Sequence, residues 1–213
     1  QSGKTQNYLA LINKAADAGY RLVIILSGNT EYLRRQTHER VDEGFIGRDT
    51  RRVGMPKGAV LKDAHIGVGK IDQDIANATS LTTVLMDYLQ ATKIGIDVPL
   101  PSGSTGPLVF VLKKNKFVLD AVNGWARGKA NNQGSIDLPL LLLDDESDYA
   151  SVNTSEAEDP TAINKSIRKI LSSFTRSSYV AITATPFANI FIDYEASGIV
   201  ETDGAEVDDL FPE

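Results

Sequence analysis

The sequence predicts an α/β domain with a mostly parallel central sheet flanked by helices. Three observations lead there. Four short runs are almost wholly apolar: RLVIILS at 21–27, LVFVL at 108–112, LPLLLL at 138–143 and YVAIT at 179–183. A strand apolar on both faces is covered on both faces, the habit of parallel sheets. Between these runs lie segments with helical spacing of apolar residues, and strands alternating with helices argue for parallel pairing. Finally, 42% apolar and 23% charged residues in 213 suit one soluble domain with a real core.

Each element follows from its own residues. Over 5–18, Leu9, Ile12 and Ala16 recur at helical spacing, and Gly19 stops the run. The first strand, 21–27, follows. Gly28 and Asn29 turn the chain, and Thr30 can cap a helix that runs to Val41. Residues 44–75 are rich in glycine and charge with weak periodicity, which predicts a long irregular excursion. A short helix is predicted over 79–92, capped by Thr79 or Ser80. The prolines and glycines of 99–106 mark a loop, and 108–112 is the second strand. A helix over 116–126 and a polar loop over 128–136 lead to the third strand, 138–143. An amphipathic helix over 161–174 carries Ile163, Ile167, Ile170, Leu171 and Phe174, and the fourth strand is 179–183.

Composition excludes several function classes. Zero Cys rules out disulfides and cysteine-based zinc or iron–sulfur centres, and two His make a His-rich metal site a poor reading. No apolar run approaches the roughly 20 residues of a membrane span. The opening QSGKTQNYLA lacks the basic start and apolar stretch of a signal peptide. A cytoplasmic setting and no membrane partner are therefore expected. Charge is unevenly placed: residues 1–134 carry 18 basic and 12 acidic side chains, residues 135–213 carry 4 and 16. A basic first part can face a polyanion; the acidic second part can hold a divalent cation or end in a solvated tail. From Glu195 to Glu213 there are seven acids and no Lys or Arg.

Three pieces carry chemistry. Gly3-Lys4-Thr5, directly before a helix, matches the end of a phosphate-binding loop, G-x-x-x-x-G-K-[ST]. Helix N-terminal N–H groups face phosphates, the lysine adds a charge at the β/γ positions and the threonine hydroxyl ligates Mg²⁺. Alone, the triplet also fits an ordinary helix start. Next, Asp144, Asp145, Glu146 and Asp148 close the third strand, and like charges so crowded need compensation. A bound Mg²⁺ supplies it; an acidic loop or a helix cap is the other reading. Last, Thr183-Ala184-Thr185-Pro186 follows the fourth strand, where small hydroxyl residues can couple a site to its surroundings; an ordinary turn before proline is the alternative.

In this order the three pieces resemble the first RecA-like domain of superfamily-two helicases and translocases. DESD at 145–148 resembles the D-E-x-D box, and TAT at 183–185 the S/T-A-T motif. The stretch SGNTEYLRRQT at 27–37 sits where such families carry a nucleic-acid-contacting motif, and Lys113-Lys114-Asn115 at a further such position. The wording QSGKT, SGNT-x-x-L-R-x-Q-T, L-x-x-D-D-E-x-D and TATPFANIFID, with DLFP at 209–212, is similar to the helicase-type ATPase that precedes a Z-one domain in bacterial proteins. Those proteins are linked to DNA restriction or defence, sometimes with an endonuclease label.

The resemblance implies a RecA-like P-loop ATPase domain over 1–194 with an insertion at about 44–106, then an acidic tail or linker, 195–213, toward a second RecA-like domain. It implies ATP and Mg²⁺ as cofactors and a nucleic acid, most naturally DNA, as partner. Gln1, Ser2, Gly3, Lys4 and Thr5 would bind the phosphates, with Thr5 and Asp145 on Mg²⁺. Glu146 would activate the attacking water. Asp148, Thr183 and Thr185 would couple the nucleotide to neighbouring domains and nucleic acid. Asn29, Thr30, Arg34, Gln36 and Lys114 are the nucleic-acid candidates, as sequence-independent phosphate contacts. The loop's first glycine, the strand before it and a second domain with its arginine finger fall outside this sequence. The fragment alone is therefore expected to be nearly inactive, while the parent protein hydrolyses ATP. A sheet lacking that strand is expected to have an empty central position. A degenerate ATPase fold that docks partners, and a nuclease using the acids as metal ligands, are the competing readings.

Overall fold

The computed structural model describes residues 2–52, 65–71, 78–93, 95, 99–103, 105–145 and 160–183. Helix α1 (Ser2–Asp17) buries Tyr8, Ile12 and Ala15, and Gly19, at φ +96, turns the chain into strand β1 (Leu22–Ser27). Helix α2 (Glu31–Val41) begins where the Thr30 hydroxyl oxygen accepts the Leu33 N–H at 3.2 Å. It runs on into a π-helical turn, Asp42–Ile46, and a 3₁₀ turn, Thr50–Arg52. The short helix α3 (Val68–Ile71), strand β2 (Thr79–Ser80) and helix α4 (Tyr88–Lys93) follow. Strand β3 (Leu108–Leu112) leads to helix α5 (Lys116–Lys129) and strand β4 (Ile136–Asp145). Helix α6 (Pro160–Ser172) and strand β5 (Phe174–Ile182) complete the described fold.

The five strands form one all-parallel sheet in the order β2-β3-β1-β4-β5. Helices cover both faces. Leu22, Ile24, Leu26, Leu140 and Leu142 pack with α4, α5 and α6 in one cluster. Val23, Ile25, Leu141 and Leu143 pack with α1 and the end of α2 in the other. The sheet is contiguous, so no central position is empty; β5 pairs only with β4 among the described residues. No described helix is long and apolar enough to cross a membrane.

Several boundaries differ from expectation, three of them with consequences for the fold. Thr79 and Ser80 do not cap a helix over 79–92. They pair with Leu108 and Val109, and the Leu81 N–H donates to the Val109 carbonyl at 3.1 Å. The helix waits for Asp87, whose carboxylate accepts the Leu89 N–H at 2.7 Å while Gln90 accepts the Asp87 N–H at 3.1 Å. This reciprocal cap is a stronger start than a lone hydroxyl. Part of the supposed insertion 44–106 is therefore core: Leu81, Val84, Tyr88 and Ala91 are buried. Helix α5 also extends through Lys129, into the segment expected as loop. Finally, Phe174 opens β5 rather than closing the preceding helix.

Candidate functional site at the carboxyl edge of the sheet

Chain direction marks the edge at which sheets of this kind commonly bind ligands. From β1 the chain winds toward β2, and from β4 toward β5, so adjacent strands β1 and β4 lead in opposite directions. Such a switch point opens a crevice beyond the carboxyl ends of the strands. Ser27 of β1, Asp145 of β4 and Ile182 of β5 lie there in register. Helix α1 reaches the same edge. It ends at Asp17, shortly before β1 starts at the amino edge, and its 16 residues run back about 24 Å. Gly3, Lys4 and Thr5 therefore form its first turns on the carboxyl side. For Ser2, Lys4 and Thr5 only the backbone is described. Gln1, Glu146, Asp148 and Thr185 lie outside the described residues.

Strand alternation separates the two visible acids. Leu140 and Leu142 face α5 and α6, whereas Leu141 and Leu143 face α1. Continuing that alternation, Asp144 projects toward the α5/α6 side and Asp145 toward the α1 side. The contacts agree. Asp144, 4% exposed, meets the Lys114 ammonium at 2.5 Å and accepts the Tyr179 hydroxyl at 2.8 Å. Burial, then the charge of Asp144 and its hydrogen bond, push the Tyr179 phenol well above its usual range. Asp145 is half-buried, and Thr183 stands just past β5, also half-buried.

Two expected nucleic-acid contacts are internal. Arg34 is fully buried. Its guanidinium donates to both Glu31 oxygens and to the carbonyls of Thr83 and Val84 at 2.9 Å each, so it fastens α2 to the loop after β2. A fork of five donors fits that mixture of carboxylate and carbonyls. Lys114, 2% exposed, serves Asp144 instead of solvent. Thr30 is exposed, while Asn29 and Gln36 are half-buried.

Other charges proved more important than the sequence suggested. Lys113 bridges Glu31 at 3.3 Å and Asp87 at 3.1 Å, joining the exits of β1, β2 and β3. Two consecutive lysines after a strand point to opposite faces, which is a signal that strand parity could have supplied. His38 is buried between Asp42 and Thr82, at 3.1 and 3.0 Å, and neither of its ring nitrogens faces solvent.

Among the described residues no group of three or more His, Asp or Glu could hold a metal by itself. A nucleotide-borne Mg²⁺ needs less from the protein: one hydroxyl and one carboxylate besides the phosphates. Asp145, on the face where α1 begins, fits that donor set. No protein-family model, curated protein or solved structure matches this chain.

Proposed function

We propose that the chain is the ATP-binding domain of a nucleic-acid-dependent ATPase, RecA-like in fold and helicase- or translocase-like in action. The resemblance in its motifs favours the type that precedes a Z-one domain in bacterial restriction or defence proteins. One observation carries the reading. Asp145, at the carboxyl end of β4, projects onto the sheet face covered by α1, the helix whose first turns are Gly3-Lys4-Thr5. A phosphate cradle and a carboxylate for its Mg²⁺ need that juxtaposition.

In this reading the α1 N-terminus and Lys4 hold the β- and γ-phosphates. Thr5 and Asp145 hold Mg²⁺, which neutralises charge developing on the transferred group. Glu146 orients the attacking water, and Asp148, Thr183 and Thr185 couple the site to its surroundings. The nuclease reading needs Asp144 and Asp145 to converge on metals, yet they project to opposite faces and Asp144 is paired with Lys114. The docking reading draws on Tyr32 and Phe117, which are 73% and 67% exposed near the start of α2 and α5.

ATP hydrolysis by the intact protein, with and without DNA, tests the proposal. Lys4→Ala should lower the rate by about 100-fold or more, as loss of a preorganised charge does. Glu146→Gln should bind nucleotide normally and lose turnover. Equal hydrolysis by wild type and both variants sinks the assignment. Absence of nucleotide binding in the wild type favours the docking reading.

A further inference from the structure

Lys114 and Asp144 are charged side chains almost sealed from solvent, 2% and 4% exposed. At that depth, desolvation can outweigh the attraction of an ion pair, so stability alone does not explain it. Its location offers another reason. Asp144 immediately precedes Asp145 and projects from the opposite face of the strand.

Two side chains meet this carboxylate, Lys114 from the exit of β3 and Tyr179 from β5, and the exit of β3 is itself tied to that of β1. The Lys114 N–H donates to the Gly28 carbonyl at 2.7 Å, tying the exit of β3 to that of β1. The Ser27 hydroxyl donates to the Leu112 carbonyl at 3.1 Å and repeats the tie. The Lys114 ammonium brings β3 to Asp144 of β4, and the Tyr179 hydroxyl brings β5. Adjacent strand residues share one pleat, so fixing the direction of Asp144 also fixes that of Asp145.

We infer that Lys114, Asp144 and Tyr179 form a positioning cluster that aims Asp145 at the cation of a bound nucleotide. The inference rests on the ATPase reading and specifies how its metal-binding carboxylate is held. Lys114 is then a positioning residue rather than a polyanion contact. None of the three residues need touch nucleotide.

The test follows Mg²⁺-dependent ATP hydrolysis by the intact protein. Wild type is compared with the double variant Lys114→Met/Asp144→Leu, with Tyr179→Phe and with Lys114→Arg, and Lys4→Ala serves as control. Replacing both charges together by apolar residues of similar volume leaves neither charge buried alone, and thermal unfolding checks that the fold survives the loss of the Tyr179 hydrogen bond. Because misplacement by about 1 Å can cost about 100-fold, kcat should fall by about 10-fold or more in the double variant. KM for ATP should hold within about twofold, while half-saturating Mg²⁺ rises by about fivefold, since positioning acts on the metal rather than on nucleotide capture. Tyr179→Phe should move both quantities in the same direction by less, and Lys114→Arg should restore most of the rate.

Wild-type kcat and Mg²⁺ dependence in the double variant overturn the positioning role. If Lys4→Ala is inactive in the same experiment, the ATPase reading stands. Should the double variant unfold, Tyr179→Phe decides by the same two quantities. A wild type that neither binds nor hydrolyses ATP removes both readings together.

Discussion

Glu31 sits among three cations. Burial opposes its ionisation, but the hydrogen bonds and charge of Arg34, then Arg35 and Lys113, hold its carboxyl down at about 2. Its ordinary value is 4.5, so the folded protein binds this proton less readily than the unfolded chain. The resulting stabilisation is complete above about pH 4.5 and is lost as pH falls toward 2. Arg34→Met removes the chief cation, so wild type should exceed the variant in stability by a margin that narrows across that window. Urea unfolding of both proteins at several pH values measures it. A margin independent of pH would assign Arg34 to packing alone. At this scale the sequence shows residue type, and direction only where strand parity applies, but not the partner. Arg34 and Lys114 look like surface cations because nothing local reveals that Thr83, Val84 and Asp144 will surround them. The place of Asp145 at the end of β4 was legible from the apolar run 138–143 that leads into it, whereas the burial of Asp144 beside it was not.

Among the elements, the long strands were legible and the short one was not. Strands β1, β3 and β4 announce themselves by apolar runs that only burial on both faces explains. Strand β2 is Thr79-Ser80, polar and two residues long, and exists because β3 offers it a ladder. The segment after the π turn shows the same dependence on distant partners. Ile66 donates to the Gly47 carbonyl at 3.0 Å, and a Cβ added at Gly69 would lie 2.0 Å from that oxygen. Backbone packs on backbone there, and no sequence pattern of either segment encodes it. Gly69→Ala should therefore destabilise by about 1–3 kcal/mol, the usual range for overpacking. Gly124 is the counterpart: it is exposed in mid-α5 with nothing within 4 Å of an added Cβ. Gly124→Ala should stabilise by about 0.5–1 kcal/mol through backbone entropy. Urea midpoints for the two variants should move in opposite directions, and a neutral Gly69→Ala would show that the turn yields.

Within the described fold, the parallel sheet brings the ends of β1, β3, β4 and β5 to one edge, and the charges there decide what that edge can attract. Residues 1–134 carry 18 cations, but those near the edge are not equivalent. Arg34 and Lys114 are internal, and Lys113 is held between Glu31 and Asp87. Arg35 and Lys116, with side chains 49% and 52% exposed, remain within reach of a polyanion at the start of α2 and α5. Binding of a nucleic acid there releases counterions only where solvated cations meet phosphates. If the proposed nucleic-acid partner binds at this edge, Arg35→Ala and Lys116→Ala should each reduce the salt slope of binding by about 1 and weaken all sequences alike. Lys114→Met/Asp144→Leu, which alters only buried charge, should leave the slope where it was. Fluorescence anisotropy of a labelled oligonucleotide across a salt series reads all three proteins. Slopes unchanged in both surface variants would move the polyanion away from this edge and leave it to the nucleotide alone. A slope lowered by the buried pair instead would mean that Lys114 becomes accessible when nucleic acid binds.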